Sequence, residues 1–479
     1  MSLPKPYVLL SIEGNEWGVY MEKRKRSLAI DMLSGSMWDK ILLYALPVAA
    51  TGILGQLFNA SDIAVVGNFA PGDTVSAVAA VGANGPVIGL VLNLFIGIAL
   101  GANVVIANAI GRGDHETVSR AVHTSIVASV LGGLLITLFG ELFAVSVLEM
   151  LNVPEEVLPL AAKYMRIYLI GMPVILLYNF ESAIFRSAGD TKTPLAALAI
   201  SGVLNVLLNL FFVIVMRMTV EGVAIATVTA NAISSALLMR KLIKSELLVK
   251  IELKKLKISW PILGRILKIG VPAGIQGAVF SLSNIVIQSA INSLGKIVMA
   301  ASSAAFNIEI MAYYILNSFG QACTTFVGQN YGAAQIDRCR KAFKLCLIEG
   351  VIATACAVGI TLVSGKFLLS LFNNDPEVIR LGFVRFEFIF ASYIFSTFYD
   401  GMSGYLRGFG ISLTPALLTM LGVCGIRVLW VATVFPKNPC FETIMQVYPI
   451  SLAVNAVLIF TALMIIRPAK KYAHVCLDN

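Results

Sequence analysis

Charge is scarce in this chain. Only 13% of its 479 residues are Asp, Glu, Lys or Arg, while 58% are hydrophobic. An ordinary soluble domain is about a quarter charged, and a chain of this length needs that polar surface to cover its core. A water-soluble globular fold is therefore excluded. Histidine is rarer still: His115, His123 and His474 make no HExxH or other metal-ligand spacing. Cys323, Cys339, Cys346, Cys356, Cys424, Cys440 and Cys476 form no CxxC pair. Most lie in or beside apolar runs, so they are read as packing residues, not disulfides or metal ligands. A Walker A sequence is missing, so ATP does not drive this chain. GxSxG is missing too, and no Ser/His pair falls at membrane depth, which excludes an intramembrane serine protease. No enzyme class is left standing, and no cleavable signal peptide is evident.

What the chain does have is apolar runs. A membrane span needs about 20 mostly apolar residues. Runs bounded by charges, Gly and Pro predict twelve helices: 41–67, 76–110, 121–140, 157–184, 194–216, 220–243, 269–294, 298–329, 343–364, 378–406, 415–435 and 446–466. Pro86 and Pro173 fall mid-run and are expected to kink their helices. Residues 1–36 and 468–479 are expected as tails, the first disordered, with a basic linker at 244–264. Twelve spans put both tails on one side. That side collects 27 of the 36 Lys and Arg, so it is assigned to the cytoplasm. The net charge of +9 is then a topology signal with some contact to anionic lipid. It is not a nucleic-acid footprint, because no groove-reading fold carries it. The tripeptide Arg112-Gly113-Asp114 is read as a turn.

The chain is also duplicated. Asn152, Glu156, Val157, Arg186, Gly189 and Pro194 recur as Asn373, Glu377, Val378, Arg407, Gly410 and Pro415, all at one constant spacing. Pro47, Gly52 and Asn59 recur as Pro272, Gly277 and Asn284. The architecture predicted is all-α, with two pseudo-symmetric six-helix bundles at 37–243 and 265–467. Even-numbered repeats share one orientation, and such bundles commonly enclose a central cavity and alternate access by rocking.

Five segments carry a family resemblance. They are Leu57-Phe58-Asn59-Ala60-Ser61-Asp62, then Phe185-Arg186-Ser187-Ala188-Gly189-Asp190-Thr191-Lys192, and Gly202-Val203-Leu204-Asn205-Val206-Leu207-Leu208-Asn209. The others are Gly328-Gln329-Asn330-Tyr331-Gly332-Ala333 and Leu406-Arg407-Gly408. From about Trp38 to Arg467 the chain resembles the multidrug and toxic compound extrusion (MATE) family, within a wider group that includes lipid-oligosaccharide flippases. The resemblance implies a V-shaped pair of lobes, cation-coupled efflux and a bacterial cytoplasmic membrane. It also implies N-lobe coupling residues at Asp62, Asn205, Asn209 and Thr227. Some members carry an aspartate where this chain has Asn209, which leaves one acidic group in place of two.

An ionisable residue inside a span costs about 2.5–3.5 kcal/mol on insertion scales, so each needs a reason. Asp62 has no Lys or Arg near it in sequence, and Asn59 lies three residues earlier on the same helical face. Asn205 and Asn209 share one face of the fifth helix, roughly 16 and 22 Å from its start. Thr227 reaches a similar depth from the other side. These oxygens suit Na+, by analogy with hard-cation sites, and Asp62 could equally carry H+. No other cofactor or metal is expected. The matching second-lobe positions are Ile287, Trp430 and Ser451, so a second cation site is not expected.

The second lobe has charges of its own in Glu309, Glu349, Glu387 and Arg427. Glu309 is the expected partner of Arg427 or an attraction point for a cationic substrate. Phe58, Tyr178, Met311 and Tyr314 are further cavity candidates, with Phe306, Tyr313 and Met402. The reading is a monomeric antiporter that exports small, cationic, amphiphilic organic compounds. The alternative is a flippase for a lipid-linked precursor, which would favour a wide basic cavity.

Overall fold

A computed structural model describes residues 29–151 and 153–473. The expectations for residues 1–28, Asn152, His474 and Cys476 lie outside the described residues. The helices are α1 Trp38–Phe69, α2 Thr74–Gly111, α3 His115–Met150, the pair Leu158–Ile170 and Met172–Ser187 that together form α4, α5 Lys192–Leu210 and α6 Val220–Ile243. The second half has α7 Trp260–Asn292, α8 Lys296–Gly332, α9 Ile336–Ser370 and α10 Pro376–Gly408. In α11, Leu413–Thr419 and Ile426–Thr433 flank a π-helical stretch, Met420–Gly425; α12 is Phe441–Ile466 and a short α13 is Pro468–Ala473. A second π-helical stretch, Phe211–Val215, extends α5.

Ten of these helices are long and apolar enough to cross a bilayer, and the bent α4 pair makes eleven. The bend is 50° and sits at Gly171, just ahead of Pro173, as a ring without an N–H requires. The twelfth span, α10, has 33 residues but is diluted by Arg380, Arg385, Glu387 and Asp400. It packs against α8, α9 and α12, so its buried charges meet protein and not lipid. Outward-facing Leu135, Leu138, Val363, Leu421 and Ile465 are exposed, which is the surface a bilayer covers.

The duplicated residues have a physical reason. Gly189 and Gly410 both take positive φ, +89° and +80°, where a Cβ is strained. After α4, Asp190 N–H donates to Phe185 O at 3.0 Å; after α10, Ile411 N–H donates to Leu406 O at 3.0 Å. Both helices thus end in the same glycine-terminated cap. The side chains just before it bind differently. Arg186 donates to Gln321 across to α8, and Arg407 donates to Gln276 of α7. Arg112-Gly113-Asp114 is the turn expected: Gly113 has φ +68° and Asp114 caps α3 by accepting from Thr117 N.

The two lobes meet along α2 and α7, with α8 against α1 and α2. Glycine makes the approach close enough. A Cβ on Gly101 would collide with Ile266 O and lie 2.8 Å from Gly270 N; one on Gly97 would collide with the Gly274 backbone. Further toward the termini, Gln329 donates to Ser187 O at 2.7 Å, and Tyr44 and Thr325 share a 2.8 Å hydrogen bond. Asn93 to Ser281, 2.9 Å, bridges α2 and α7 near mid-depth. Beyond it, a Cβ added to Gly82, Gly85 or Gly89 would meet nothing within 4 Å. The lobes are therefore sealed on the side of the termini.

Of residues 29–36, expected as part of a disordered tail, 29–33 are packed and 34–36 are exposed. Met32 is fully buried, and its carbonyl accepts from Asn330 and Arg338. Ile30 N–H donates to Gly189 O. The basic linker is anchored as well: Glu252 N–H donates to His123, and Ser259 N–H to Thr124. Cys323, Cys346 and Cys424 are buried without a disulfide.

Candidate functional site

Three helices of the first lobe converge on Asp62. It is 5% exposed and lies about 36 Å along α1 at 1.5 Å per residue. Asn209 on α5 donates to its Oδ1 at 2.6 Å, and Thr227 on α6 donates to its Oδ2 at 2.9 Å. Asn209 also donates to Asn205 Oδ1 at 3.3 Å, and Asn205 reaches Thr227 at 3.4 Å. Four of the five residues aligned by depth are thus one hydrogen-bonded cluster. Asn59 is not part of it. It is exposed, because the three-residue spacing to Asp62 leaves it on the rim of that helical face.

Asp62 has no Lys or Arg ion partner among the described residues. Its neighbours are neutral, so the carboxylate charge stays uncompensated. One acceptor is also left over: Asn209 Oδ1 is buried without a partner. A buried oxygen with nothing to accept from is the feature a cation or an added proton would satisfy. Among the described residues no group of three His, Cys, Asp or Glu could hold a metal. The donor set, one carboxylate with amide and hydroxyl oxygens, fits a monovalent cation. The π-helical stretch begins directly after Leu210, one residue past Asn209, and such stretches are frequent at functional positions.

The second lobe holds a cavity of about 120 Å³ whose walls include Phe280, Phe306, Glu309, Arg385, Arg427 and Tyr448. The pairing expected there is wrong. Glu309 is bound by Arg385, with Nε to Oε2 at 2.9 Å and Nη2 to Oε1 at 2.6 Å. Arg385 was not singled out from the sequence. Its helix, α10, packs against α8, which carries Glu309. With both carboxylate oxygens taken, Glu309 no longer offers a free charge to a cationic substrate. Arg427 instead donates to Asn284 Oδ1 at 2.7 Å and Ser451 Oγ at 3.4 Å.

The remaining candidates lie elsewhere. Phe58 packs over Gly202, and Tyr314 over Gly52. Met311 and Tyr314 share α8, which meets α1 across the lobes. Tyr178 belongs to the first-lobe core. Phe306 and Tyr313 do line the cavity.

Removing one member of a buried ion pair costs about 3–5 kcal/mol, whereas replacing both by apolar side chains is often neutral. Glu309→Gln is therefore expected to lower the unfolding temperature of the purified protein, and Glu309→Leu with Arg385→Met to recover most of it. A double variant as unstable as the single one would show that the pair is not the cause.

A sequence profile of the MatE family matches residues 47–211 and again 272–432, once in each lobe. The chain belongs to the MatE family. Its members are membrane transporters, not enzymes, and this MatE chain is a multi-pass transporter. It is 26% identical over 434 residues to "Probable multidrug resistance protein YoeA" of Bacillus subtilis (strain 168), covering 89% of this chain and 93% of that one. It is 24% identical over 362 residues to the "FAD transporter" of Shewanella oneidensis, covering 72% and 78%. A solved structure described as an outward-facing conformation of a multidrug resistance MATE family transporter matches with TM-score 0.84 at 22% identity, over 92% of this chain and 98% of that one. That match shows the fold.

Proposed function

We propose that this chain is a cation-coupled antiporter that exports small organic compounds by rocking of its two lobes, with Asp62 as the coupling group. The observation that carries the reading is the buried, uncompensated Asp62 carboxylate beside the orphaned Asn209 Oδ1. An empty site of this kind is costly. Binding Na+ removes the cost by neutralising the carboxylate and occupying the spare oxygen. Binding H+ turns one Asp62 oxygen into a donor, and a rotation of the Asn209 amide would present Oδ1 to it. One charge moving through 100 mV supplies roughly 2.3 kcal/mol, enough for about a fifty-fold gradient of a neutral compound.

The relative named for multidrug resistance supports export of varied organic molecules. The relative named as an FAD transporter supports a cargo range wider than cationic drugs. The Lys and Arg bias supports placing the sealed side, with both termini, in the cytoplasm of a bacterial cell, which makes this state closed to the cytoplasm. The protein is taken to act as a monomer. A flippase is less well supported: its cavity should be wide and broadly basic, and here Arg385 is already neutralised by Glu309.

Reconstituted vesicles loaded with a fluorescent compound test the proposal. Efflux is expected to follow an imposed Na+ or pH gradient and to stop when that gradient is collapsed. Efflux indifferent to both gradients would rule out cation coupling.

A further inference from the structure

The second lobe keeps one polar position of the first-lobe cluster, Ser451 for Thr227, and sets the opposite charge beside it. The duplication places Ser451 opposite Thr227 and Asn284 opposite Asn59, while Ile287 stands where Asp62 would be. Arg427 binds both Ser451 and Asn284 there. It is 1% exposed and lines the cavity. Its guanidinium lies 4.6 Å from the ring centre of Tyr448 and 4.9 Å from that of Phe280.

Arg427 is held, but its charge is not balanced. Asn284 and Ser451 are neutral acceptors and engage two of its five N–H donors. No carboxylate pairs with it among the described residues, since Glu309 is committed to Arg385. Two arginines and one glutamate leave the cavity one positive charge in excess. Hydrogen bonds and stacking account for the orientation of Arg427. They do not account for a full charge inside a span, where it is expensive. Planar N–H pairs facing an open space are suited to a carboxylate, sulfonate or phosphate. The aromatic walls, Phe306 and Tyr393 among them, are suited to the apolar body that carries such a group.

We propose that the second-lobe cavity is a binding site for the anionic group of the exported compound, with Arg427 as its counter-charge and an aromatic body packed on the cavity wall. The first lobe would then take the cation and the second an organic anion. The inference rests on the export reading for the direction of movement, but binding itself needs no ion gradient.

Calorimetric titration of the purified full chain, without any gradient, tests it with one ring in three charge states: 2-naphthoate, neutral 2-naphthol and 2-naphthylmethylammonium. Wild type is expected to bind naphthoate at least about tenfold tighter than either of the others. Arg427→Gln should erase that preference, and Arg427→Lys should retain part of it. Equal affinities in the wild type, tighter binding of the ammonium compound, or a preference unchanged in Arg427→Gln would overturn the proposal. The wild-type comparison stands even if the variant does not fold. Adding a polyprenyl phosphate in nanodiscs separates the sources: displacement of naphthoate assigns the anion to a lipid phosphate, and no displacement assigns it to a soluble anion. Failure of gradient-driven efflux alongside a clear naphthoate preference would count against the coupling, not against this site.

Discussion

Asp62→Asn is expected to abolish ion-driven export while leaving the protein at least as resistant to heat as the wild type. The two side chains are nearly the same size, so packing against Asn209 and Thr227 is preserved. What disappears is a buried charge without a counter-ion, and removing such a charge relieves a desolvation penalty. A residue with only a structural role behaves in the opposite way, losing stability when altered. Export should fall from the roughly fifty-fold gradient one charge can sustain to passive leak. The coupling cation adds a second readout. At about 100 times its Kd it stabilises the folded wild type by about 2.7 kcal/mol, so the unfolding temperature rises with added cation. In Asp62→Asn that rise should vanish. Vesicle efflux and thermal unfolding measured on the same preparations decide the matter. Wild-type efflux from the variant would remove Asp62 from the mechanism.

Gly101→Val is expected to block the cycle from the other end. The new side chain would meet Ile266 O and the Gly270 backbone, neither of which can swing aside as a flexible side chain can. Sealing on the side of the termini requires α2 and α7 to approach as closely as they do here. Overpacking of this kind costs about 1–3 kcal/mol. In a two-state equilibrium that shifts populations roughly five- to more than a hundredfold, away from the sealed state. Spin labels at the exposed Arg120 and Arg340, with Cys356, Cys440 and Cys476 replaced, should report a longer distance than in the parent protein. Efflux should be strongly reduced. An unchanged distance with normal efflux would mean that the glycine contact is dispensable.

Much of the architecture was legible because the relevant signals are local or periodic. Apolar run length located the spans, and the spacing of Arg186–Gly189 and Arg407–Gly410 exposed the duplication, which the structure resolves into identical helix caps. The N-lobe cluster was legible for a related reason. Depth along a helix follows from residue count, so Asp62, Asn209 and Thr227 could be aligned without knowing how the helices pack. Rotation about the helix axis was harder, and Asn59 was misplaced by it. The Glu309 partner was missed because pairing depends on which helices are neighbours. Depth alone allowed Arg427, whereas the packing of α8 against α10 selects Arg385. The order of residues 29–36 was illegible for a third reason. Their sequence is unremarkable, and their anchors, Gly189 and Asn330, lie far along the chain in different lobes.

That short segment ties both halves of the molecule together on the closed side. Met32 is gripped by the second lobe while Ile30 is held by the first, so the segment works as a strap between the lobes. In the rocking cycle proposed above, at least one of its ends must let go when the halves swing apart there. Anything fused or bound close to Ile30 would bear on that release, and could set how long each turn of the pump takes without ever touching the cargo.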